Sequence, residues 1–571
     1  MQQPSITIKV RLLGIFLILG LLVSANRSEG QFLESLLKPK PKDERTTEYM
    51  VPTRDGVKLS TAVTLPKGEG PWPVVLSRTP YGKAQAFTGI LGSELVENGY
   101  VRVAQDCRGR FQSEGNFGSF EMEPTDGYDT IEWIAKQPWC NGKVGMFGVS
   151  AMGITANFAA MTSPPNLVCT FVCVAHGCDY RFGSYPGGVF LQDLNERWFR
   201  TIGAPLPVSP KPRMSLYTED WARRDMKNNY ANVKIPVFNV AGWYDIFSES
   251  GMENYEGLHK HGGGNAKGNQ KIVMGAFGHF PLNGKLKYPA TASKLDVGLV
   301  IPWFDHWLKG KQNGIMEEPS CKYFVMGDTF DTSAPGNEWR TADSWPPPAT
   351  ETAYYFVHGG KLANRSAAEG SSITYAYDPR RPVPTVGGNN LFSPRGPMDQ
   401  REVSRRTDVL RFESEPLEHP VEIVGRVFAE LFVGTDVEDT DFTVKLVDVY
   451  PDGYEALVLD QAYRLRFREG FDKELRAEKG KTYPVRMNLW STALVFNKGH
   501  KIAVHVSSSN APRFEPHTNT WTPVDSYADA VVANNVIHVG GQSASRVLLP
   551  VTKIYAEPTH PPAAKKETAA R

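Results

Sequence analysis

The sequence predicts an α/β core followed by an all-β domain, and three observations support this fold class. From about residue 46 to residue 316, strand-like segments alternate with segments of helical periodicity. Several of these strand segments are apolar throughout, which is typical of a parallel sheet covered on both faces. From residue 317 onward, short β-rich runs separated by turn residues replace the alternation, and this pattern favours a β-sandwich or jelly roll.

Length and composition limit the classes of protein that are possible. A chain of 571 residues is too long for one hydrophobic core, so two or three domains are expected. The net charge of +1 and the absence of a dense Lys/Arg tract argue against a nucleic-acid partner. Six cysteines in a chain of this size do not make a disulfide framework, although export would permit a bridge within the cluster Cys169, Cys173 and Cys178.

The first 25 residues have the pattern of a secretory signal peptide. Lys9 and Arg11 precede the apolar run Leu12 to Val23, and small residues follow it. The run is shorter than the roughly 20 residues that a bilayer span needs, although an uncleaved N-terminal anchor is an alternative. We therefore expect a secreted or periplasmic protein that has no membrane partner after cleavage.

The first part of the core is assigned to residues 46–180. A hairpin around Asp55 and Gly56 is followed by strands in "WPVVLSRTPYGK" and "GYVRVAQDCRGR". Helical spacing is found in "GILGSELVENG" and in "DGYDTIEWIAKQPW", which Pro138 ends. The apolar strand "KVGMFGV" then leads into a further helical segment.

Three further segments complete the predicted organisation. Residues 181–230 are rich in aromatic residues and arginine, and they interrupt the strand rhythm as an inserted helical cap. The strands "IPVFNVAGW" and "QKIVMGAFG" resume the core over residues 231–316. Residues 317–560 form the predicted jelly-roll domain.

A serine stands where the strand "KVGMFGV" ends. Ser150 lies between Gly148 and Gly153, and a helical pattern follows it. A sharp strand-to-helix turn of this kind is the nucleophile elbow, which usually has the pattern G-x-S-x-G. The spacing here is one residue longer on the far side, so this match alone is weak and an ordinary turn is the alternative.

Two other strand ends supply the partners that a nucleophilic serine needs. Asp245 follows "IPVFNVAGW", and His279 follows "KIVMGAFG". The chain order Ser150, Asp245, His279 is the order expected for a catalytic triad in an α/β sheet. Taken singly, Asp245 could cap the helix after it and His279 could be a loop residue.

The sequence also offers two donors for an oxyanion hole. One is the backbone N–H of Ala151, directly after the serine. The other is the hydroxyl of Tyr81, in the loop after the third strand, for which an aromatic turn residue is an equally simple interpretation. His259 and His261 form an HxH pair, but no third ligand lies nearby, so we predict no metal site there. The predicted chemistry needs no organic cofactor either.

The chain resembles the cocaine-esterase-like branch of serine hydrolases, which also includes α-amino acid ester hydrolases, cephalosporin acylases and X-Pro dipeptidyl-peptidases. The resemblance runs from about Glu48 to Glu557. The stretches that carry it are "TRDGVKLSTAVTLP", "SRTPYGK", "QDCRGRFQSEGNF", "DGYDTIEWIAKQPWCNGKVGMFGVSAMG", "AGWYDIF", "GAFGHF", "YDPRRPVPTVGG" and "NKGHKIAVHVSSSNAPRF". It implies an α/β-hydrolase core, a helical cap and a C-terminal jelly roll. It also implies the same roles for the residues named above. Ser150 is the nucleophile, Asp245 and His279 are its partners, and Tyr81 and Ala151 are the oxyanion-hole donors.

Two positions depart from the family pattern. The family usually has Tyr where this chain has Ala151, which leaves the backbone donor in place and implies a roomier pocket floor. The members that recognise α-amino groups carry an acidic pair just past the triad aspartate, where this chain has Ile246, Phe247 and Ser248. We therefore expect esters of free α-amino acids and N-terminal dipeptides to be poor substrates.

The sequence thus predicts a serine hydrolase that cleaves small carboxylic esters, or amides, through an acyl-enzyme. Trp243, Phe247 and Phe280 flank the proposed triad and are predicted to contact the substrate. An X-Pro peptidase, or an acylase acting on amide bonds, is the alternative within enzymes. The peptidase would need a carboxylate in the cap, such as Asp193 or Glu196, to hold a free N-terminus. A non-catalytic binding protein is the alternative from another class, and the sequence leaves a homo-oligomer open.

Overall fold

The computed structural model of the chain describes residues 43–85, 91–205, 215–522 and 526–555. The predicted signal peptide, residues 1–25, lies outside the described residues. Within these ranges, no helix is both long enough and apolar enough to cross a bilayer.

A mixed sheet forms the first part of the described chain. Its ten strands run in the order β1-β2-β4-β3-β5-β6-β7-β8-β9-β10. The neighbours from β4 to β9 are parallel, and antiparallel pairs close both ends. The strands are β1 (Thr46–Pro52), β2 (Lys58–Thr64), β3 (Trp72–Thr79), β4 (Val101–Asp106), β5 (Cys140–Val149), β6 (Leu167–Cys173), β7 (Val237–Tyr244), β8 (Lys271–Gly278), β9 (Cys321–Val325) and β10 (Glu338–Ala342).

Helices cover both faces of this sheet, as the apolar strands predict. On one face of the sheet, all residues of the helix that follows β5 are buried. On the other face, Trp303 packs edge-on against Phe238 of the sheet, with ring centroids 5.3 Å apart. The α-helices of the described residues are α1 (Gly92–Glu97), α2 (Glu123–Ala135), α3 (Ala151–Met161), α4 (Gln192–Ile202), α5 (Glu219–Ala222), α6 (Ser248–His261), α7 (Val300–Lys309) and α8 (Arg401–Ser404).

The described part of the segment between β6 and β7 contains several short helical elements, where the sequence predicts a helical insertion. It contains a π-helical turn (Asp179–Ser184), a 3-10 turn (Pro186–Gly188), α4, α5 and a second 3-10 turn (Met226–Asn232). Trp198 of α4 stacks on Phe120 of the core with ring centroids 5.6 Å apart. This contact places α4 over the carboxyl ends of the strands.

A second, largely antiparallel sheet forms the β-rich C-terminal domain. It has eleven strands in the described residues, ordered β13-β20-β15-β21-β11-β12-β14-β19-β16-β17, with β18 paired to β15. They are β11 (Thr350–Val357), β12 (Lys361–Ala363), β13 (Ser371–Tyr377), β14 (Leu410–Glu413), β15 (Val421–Gly434), β16 (Asp441–Val449), β17 (Glu455–Arg464), β18 (Tyr483–Phe496), β19 (Lys501–Ser507), β20 (Ala533–Val539) and β21 (Arg546–Ile554).

Two strands of the first sheet lie beyond the expected domain boundary at residue 317. Strands β9 and β10 lie beyond that residue, yet they complete the first sheet. The buried strand β9 pairs in parallel with β8, with Cys321 opposite Ile272. A short apolar run shows that a strand forms, but it does not show which sheet the strand joins.

The two domains contact each other directly next to α6. Glu249, on the first turn of α6, is buried and accepts hydrogen bonds from Arg426 Nε at 2.5 Å and from the Ser491 backbone at 2.8 Å. Arg426 also reaches Glu256 at 2.6 Å. The C-terminal domain thus supports the helix that follows the loop of Asp245.

All six cysteines are buried and unpaired. The structure has no disulfide within the cluster Cys169, Cys173 and Cys178, where a bridge was the alternative. Burial raises the pKa of the Cys169 and Cys178 thiols well above the usual value, so these side chains are small apolar residues of the core.

Candidate active site

Ser150 lies in a strained turn between β5 and α3. Its backbone has φ 58° and ψ −127°, a conformation that residues other than glycine rarely adopt. A Cβ on Gly148 would lie 2.1 Å from the Met152 carbonyl oxygen, and one on Gly153 would lie 2.6 Å from the Ala175 Cβ. The two glycines therefore let the strand and the helix approach closely.

The imidazole of His279 connects the serine to a buried carboxylate. His279 Nε2 lies 2.8 Å from Ser150 Oγ, and Nδ1 lies 2.6 Å from Asp245 Oδ2. Asp245 is fully buried, and its Oδ1 accepts a hydrogen bond from the Phe247 backbone at 2.8 Å. With Nδ1–H donating to the carboxylate, Nε2 is the acceptor for the serine proton, which is the arrangement that activates a serine for nucleophilic attack.

Two hydrogen-bond donors lie beside Ser150. The Ala151 N–H is the first amide of α3, and it therefore has no acceptor within the helix. Tyr81 lines the same pocket as Ser150, and its hydroxyl accepts a hydrogen bond from Trp198 Nε1 at 3.1 Å. Burial raises the pKa of Tyr81, while hydrogen bonds with Trp198 and Ser150 act to lower it, so the phenol is protonated and can donate to a developing oxyanion.

A side chain of the C-terminal domain holds the loop of Asp245. Asn389 is buried, and its amide nitrogen donates to the carbonyl oxygens of Trp243 at 2.9 Å and Asp245 at 2.8 Å. The same nitrogen lies 3.3 Å from Ser248 Oγ. The position of Asp245 therefore depends on contacts from both domains.

The pocket at Ser150 is mostly apolar and is built from three parts of the chain. The core contributes Phe120, Ile154 and Phe247, the helical insertion contributes Trp198, and the C-terminal domain contributes Leu391. Phe247 lies edge-on to His279, with ring centroids 5.9 Å apart. Phe247 therefore lines the pocket beside His279, and its contact with a substrate stays a prediction.

One wall of the pocket is polar. It contains His176, Asp179 and Asn195, all of them buried. Asp179 forms an ion pair with Arg224 at 2.5 Å; burial raises the pKa of this carboxyl, although Arg224 opposes the shift. Burial, together with the nearby Arg224, lowers the pKa of His176 to about 3, so this imidazole is neutral.

Two residues predicted to contact the substrate lie elsewhere. Trp243 is buried outside the pocket, where its Nε1 donates to the Phe324 carbonyl oxygen at 2.7 Å. Phe280 packs edge-on against His279 and beneath Arg395, but it is not among the residues that line the pocket. Trp243 is thus a packing residue, and Phe280 supports the histidine from outside.

The carboxylates proposed for a peptidase are engaged in other contacts. Asp193 accepts hydrogen bonds from the Ser393 backbone at 2.9 Å and from Arg197 at 3.2 Å. Glu196 accepts one from Gln192 at 3.1 Å. Neither carboxylate lines the pocket, and within the described ranges no cluster of His, Cys, Asp and Glu is arranged to hold a metal ion.

Several residues of the site were not found from the sequence. Asn389 lies in "VGGNNLFS", next to a stretch that carries the family resemblance, but a single amide gives no signal of its role. Trp198 was assigned to the insertion without a partner, and Asp179 lies just before the insertion, at the end of the segment assigned to the core. Their roles depend on contacts between distant segments, which sequence spacing does not contain.

The fold and this geometry define the chain as a member of the α/β-hydrolase class with a serine-centred site. Two family models match it: X-Pro dipeptidyl-peptidase (S15 family) over residues 55–213 and 211–281, and the X-Pro dipeptidyl-peptidase C-terminal non-catalytic domain over residues 313–548. The chain is 32% identical to cocaine esterase from Rhodococcus sp. (strain MB1 Bresler), over 89% of this chain and 98% of that protein. The chain therefore belongs to the S15 family of X-Pro dipeptidyl-peptidases and cocaine-esterase-like proteins, and it is a hydrolase of that family.

Solved structures agree with the fold. An α-amino acid ester hydrolase is 26% identical, with a TM-score of 0.72 over 90% of this chain and 98% of the other. An aminopeptidase from a marine sediment Thaumarchaeota archaeon is 24% identical, with a TM-score of 0.74 over 90% and 98% of the two chains. These likenesses extend across both domains, so the α/β core and the β-rich C-terminal domain are shared features.

Proposed function

We propose that this chain is a serine esterase that hydrolyses small carboxylic esters through an acyl-enzyme intermediate. The observation that carries the proposal is the position of His279, within hydrogen-bond distance of both Ser150 and the buried Asp245. The likeness to cocaine esterase supports ester hydrolysis as the reaction. The strained backbone of Ser150 is a further support, because such strain is concentrated at functional residues.

The proposed reaction uses each of these groups in turn. His279 takes the proton of Ser150 as the oxygen attacks the ester carbonyl, and Asp245 stabilises the imidazolium that forms. The Ala151 N–H and the Tyr81 hydroxyl donate to the oxyanion of the tetrahedral intermediate. His279 then gives its proton to the leaving alcohol, and a water molecule activated by the same histidine hydrolyses the acyl-enzyme.

The pocket favours esters over peptides with a free N-terminus. Ile246 and Phe247 present apolar side chains just past Asp245, and the carboxylate of Asp179 is already neutralised by Arg224. An ammonium group entering this pocket would lose its hydration without gaining an unpaired carboxylate. A neutral ester loses much less on entry.

A matched set of substrates tests the proposal. We expect phenyl 3-phenylpropanoate to have a higher kcat/KM than its anilide and than glycyl-proline 4-nitroanilide. Ser150→Ala should abolish all three activities, which separates true turnover from contaminating hydrolases. A preference for glycyl-proline 4-nitroanilide would contradict the esterase proposal and favour the X-Pro peptidase.

We also propose that the mature chain works outside the cytoplasm. The support is the charged and apolar pattern of the first 25 residues, in which Lys9 and Arg11 precede Leu12 to Val23. N-terminal sequencing of protein recovered from the periplasm or the medium of a bacterial expression host should begin close to residue 26. A mature chain that still begins at Met1 would contradict cleavage.

A further inference from the structure

His176 is buried in the pocket wall without a hydrogen bond to its ring. It is 2% exposed, and Nδ1 has no partner among the described residues. Nε2 lies 3.9 Å from Asp179 Oδ1, which is too long for a hydrogen bond. Buried polar groups in proteins are almost always hydrogen-bonded, so an imidazole left in this state next to a substrate pocket indicates a missing partner.

Gly183 packs closely against this imidazole, and no side chain fits at its position. A Cβ at Gly183 would lie 2.7 Å from Asp179 Oδ1 and 3.1 Å from His176 Nε2. Asn195 adjoins the same glycine, because its amide nitrogen donates to the Gly183 carbonyl at 2.9 Å and to the Leu191 carbonyl at 2.8 Å. The carbonyl oxygen of the Asn195 side chain accepts no hydrogen bond from the described residues, so it is a further acceptor on this wall.

The charges on the wall are balanced. The carboxylate of Asp179 is paired with Arg224 at 2.5 Å, and the imidazole of His176 is neutral because burial and Arg224 lower its pKa to about 3. A charged ligand would therefore be desolvated without an opposite charge that is free to meet it. A neutral group that donates a hydrogen bond to one of these acceptors fits the wall.

The wall lies within reach of a substrate held at Ser150. The ring of Phe247 stands between the two histidines, with its centroid 4.8 Å from that of His176 and 5.9 Å from that of His279. His176, Gly183 and Ser150 all line one pocket. Because these residues share one pocket, we expect a substituent a few bonds away from the reacting carbonyl to lie near this wall.

We propose that His176, Asp179 and Asn195 form a specificity subsite for a neutral hydroxyl or carboxamide group of the substrate. The subsite explains why a mostly apolar pocket retains three polar side chains around a glycine. It rests on the proposed esterase function, since it defines which esters that function selects.

The test uses pairs of esters that differ by one hydroxyl in place of a methyl group. Ethyl 3-hydroxybutanoate and ethyl 3-methylbutanoate vary the acyl half, and 2-hydroxypropyl acetate and 2-methylpropyl acetate vary the alcohol half. For each pair the quantity measured is the kcat/KM of the hydroxyl ester divided by that of the methyl ester. Comparing this ratio between enzyme variants cancels the intrinsic reactivity of the two esters.

One of the two ester pairs places its hydroxyl or methyl group at the wall. For that pair we expect His176→Phe to lower the ratio about tenfold, because one neutral hydrogen bond contributes an effect of this size. Phenylalanine keeps a ring against Phe247, so packing is retained. His505→Phe is the matched control, because His505 is also buried with neither ring nitrogen hydrogen-bonded, but lies in the C-terminal domain. This control should leave the ratio unchanged.

Gly183→Ala gives a second variant that adds a methyl group instead of removing a polar one. The added Cβ would lie 2.7 Å from Asp179 Oδ1 and 3.1 Å from His176 Nε2. It therefore displaces these two acceptors, so it should lower the same ratio even if His176→Phe fails to fold. An unchanged ratio in both ester pairs with either folded variant would overturn the proposal and make His176 a packing residue.

A third ester, varied in its acyl half, tests whether the subsite prefers a cationic group to a neutral one. Ethyl 3-aminobutanoate places an ammonium group where the hydroxyl stands, and we expect it to be a poorer substrate than the hydroxyl ester. A preference for the ammonium ester that is lost in His176→Phe would overturn the neutral assignment. Absence of turnover for every ester would instead contradict the proposed function itself, so the two failures are distinguishable.

Discussion

Tyr81 is the residue whose proposed role can be tested with the smallest chemical change. Negative charge develops on the carbonyl oxygen only in the transition state, so a donor aimed at it affects kcat more than KM. Tyr81→Phe should lower kcat by about 10² to 10³-fold and leave the melting temperature near that of the wild type. Steady-state kinetics on one good ester measure this, and a kcat close to wild type would remove Tyr81 from the oxyanion hole.

Trp198 should matter through Tyr81. Its indole N–H donates to the Tyr81 oxygen at 3.1 Å, which directs the phenolic proton away from the indole and toward Ser150. Trp198→Phe keeps an aromatic ring in the pocket but removes this donor, so kcat should fall by less than in Tyr81→Phe. In the double variant the loss should be close to that of Tyr81→Phe alone; fully multiplicative losses would contradict coupling between the two residues.

At the residue scale, the sequence predicts positions better than orientations. Ser150, Asp245 and His279 each follow an apolar strand, and parallel strands bring their carboxyl ends to one sheet edge, so their meeting was predictable. The direction of the Trp243 side chain was not predictable. Side chains alternate along a strand, and the sequence pattern does not show which neighbour each side chain contacts.

The turn between β5 and α3 is the element on which the site depends. Gly148→Ala places a Cβ 2.1 Å from the Met152 carbonyl oxygen, a backbone contact that cannot relax by a rotamer change. We expect a loss of about 1–3 kcal/mol in the free energy of unfolding, together with loss of activity. Urea unfolding measures the first and ester turnover the second.

The control for this variant is Gly370→Ala, where the nearest atom to a new Cβ lies 3.6 Å away. That substitution should leave both stability and activity near wild type. Equal stability of the Gly148→Ala and Gly370→Ala variants would mean that close packing at the turn is not required.

At the element scale, the strands and helices of the core follow from hydrophobic periodicity, whereas their grouping into sheets does not. Strand β9 has the composition of the β-rich region around it, but it joins β8 of the core. The partner of a strand is decided by contacts distant in sequence, and a one-dimensional pattern does not contain them.

The buried side chain of His505 links the stability of the C-terminal domain to pH. Burial, with Lys445 and Arg411 nearby, lowers the pKa of His505 to about 3, against about 6.5 in an unfolded chain. Between these values the unfolded chain binds a proton that the folded chain does not, so stability falls as pH drops from about 6.5 toward 3. The slope is about 1.4 kcal/mol per pH unit for one proton.

His505→Phe should therefore make the unfolding free energy fall less steeply between pH 6 and pH 4. The expected reduction in slope is that of about one bound proton. Urea unfolding at several pH values measures the difference between the variant and the wild type. Parallel curves for the two proteins would show that His505 does not contribute to the acid sensitivity.

Across the whole molecule, the C-terminal domain takes part in forming the site. Asn389 holds the backbone of the Asp245 loop, so Asn389→Leu should displace the carboxylate and lower kcat by about tenfold to a hundredfold. The second-order rate at which a fluorophosphonate labels Ser150 should fall in parallel, which simple destabilisation of the fold would not produce.

Asn390 provides the matched control. It is also buried, but it donates to the Gly387 and Pro394 carbonyl oxygens within its own loop. Asn390→Leu should lower the melting temperature while affecting kcat much less than Asn389→Leu. Equal losses of kcat in both variants would indicate that the loop as a whole, and not the Asn389 contact, supports the site.

The central claim is that Ser150 is the activated nucleophile, and covalent labelling tests it most directly. A fluorophosphonate reacts with a serine whose hydroxyl is activated by a base, and peptide mass spectrometry identifies the modified residue. The account predicts a single phosphonylated peptide containing Ser150 in the wild type and no labelling in Ser150→Ala. Full labelling of folded Ser150→Ala, or a wild-type protein that does not react, would contradict it.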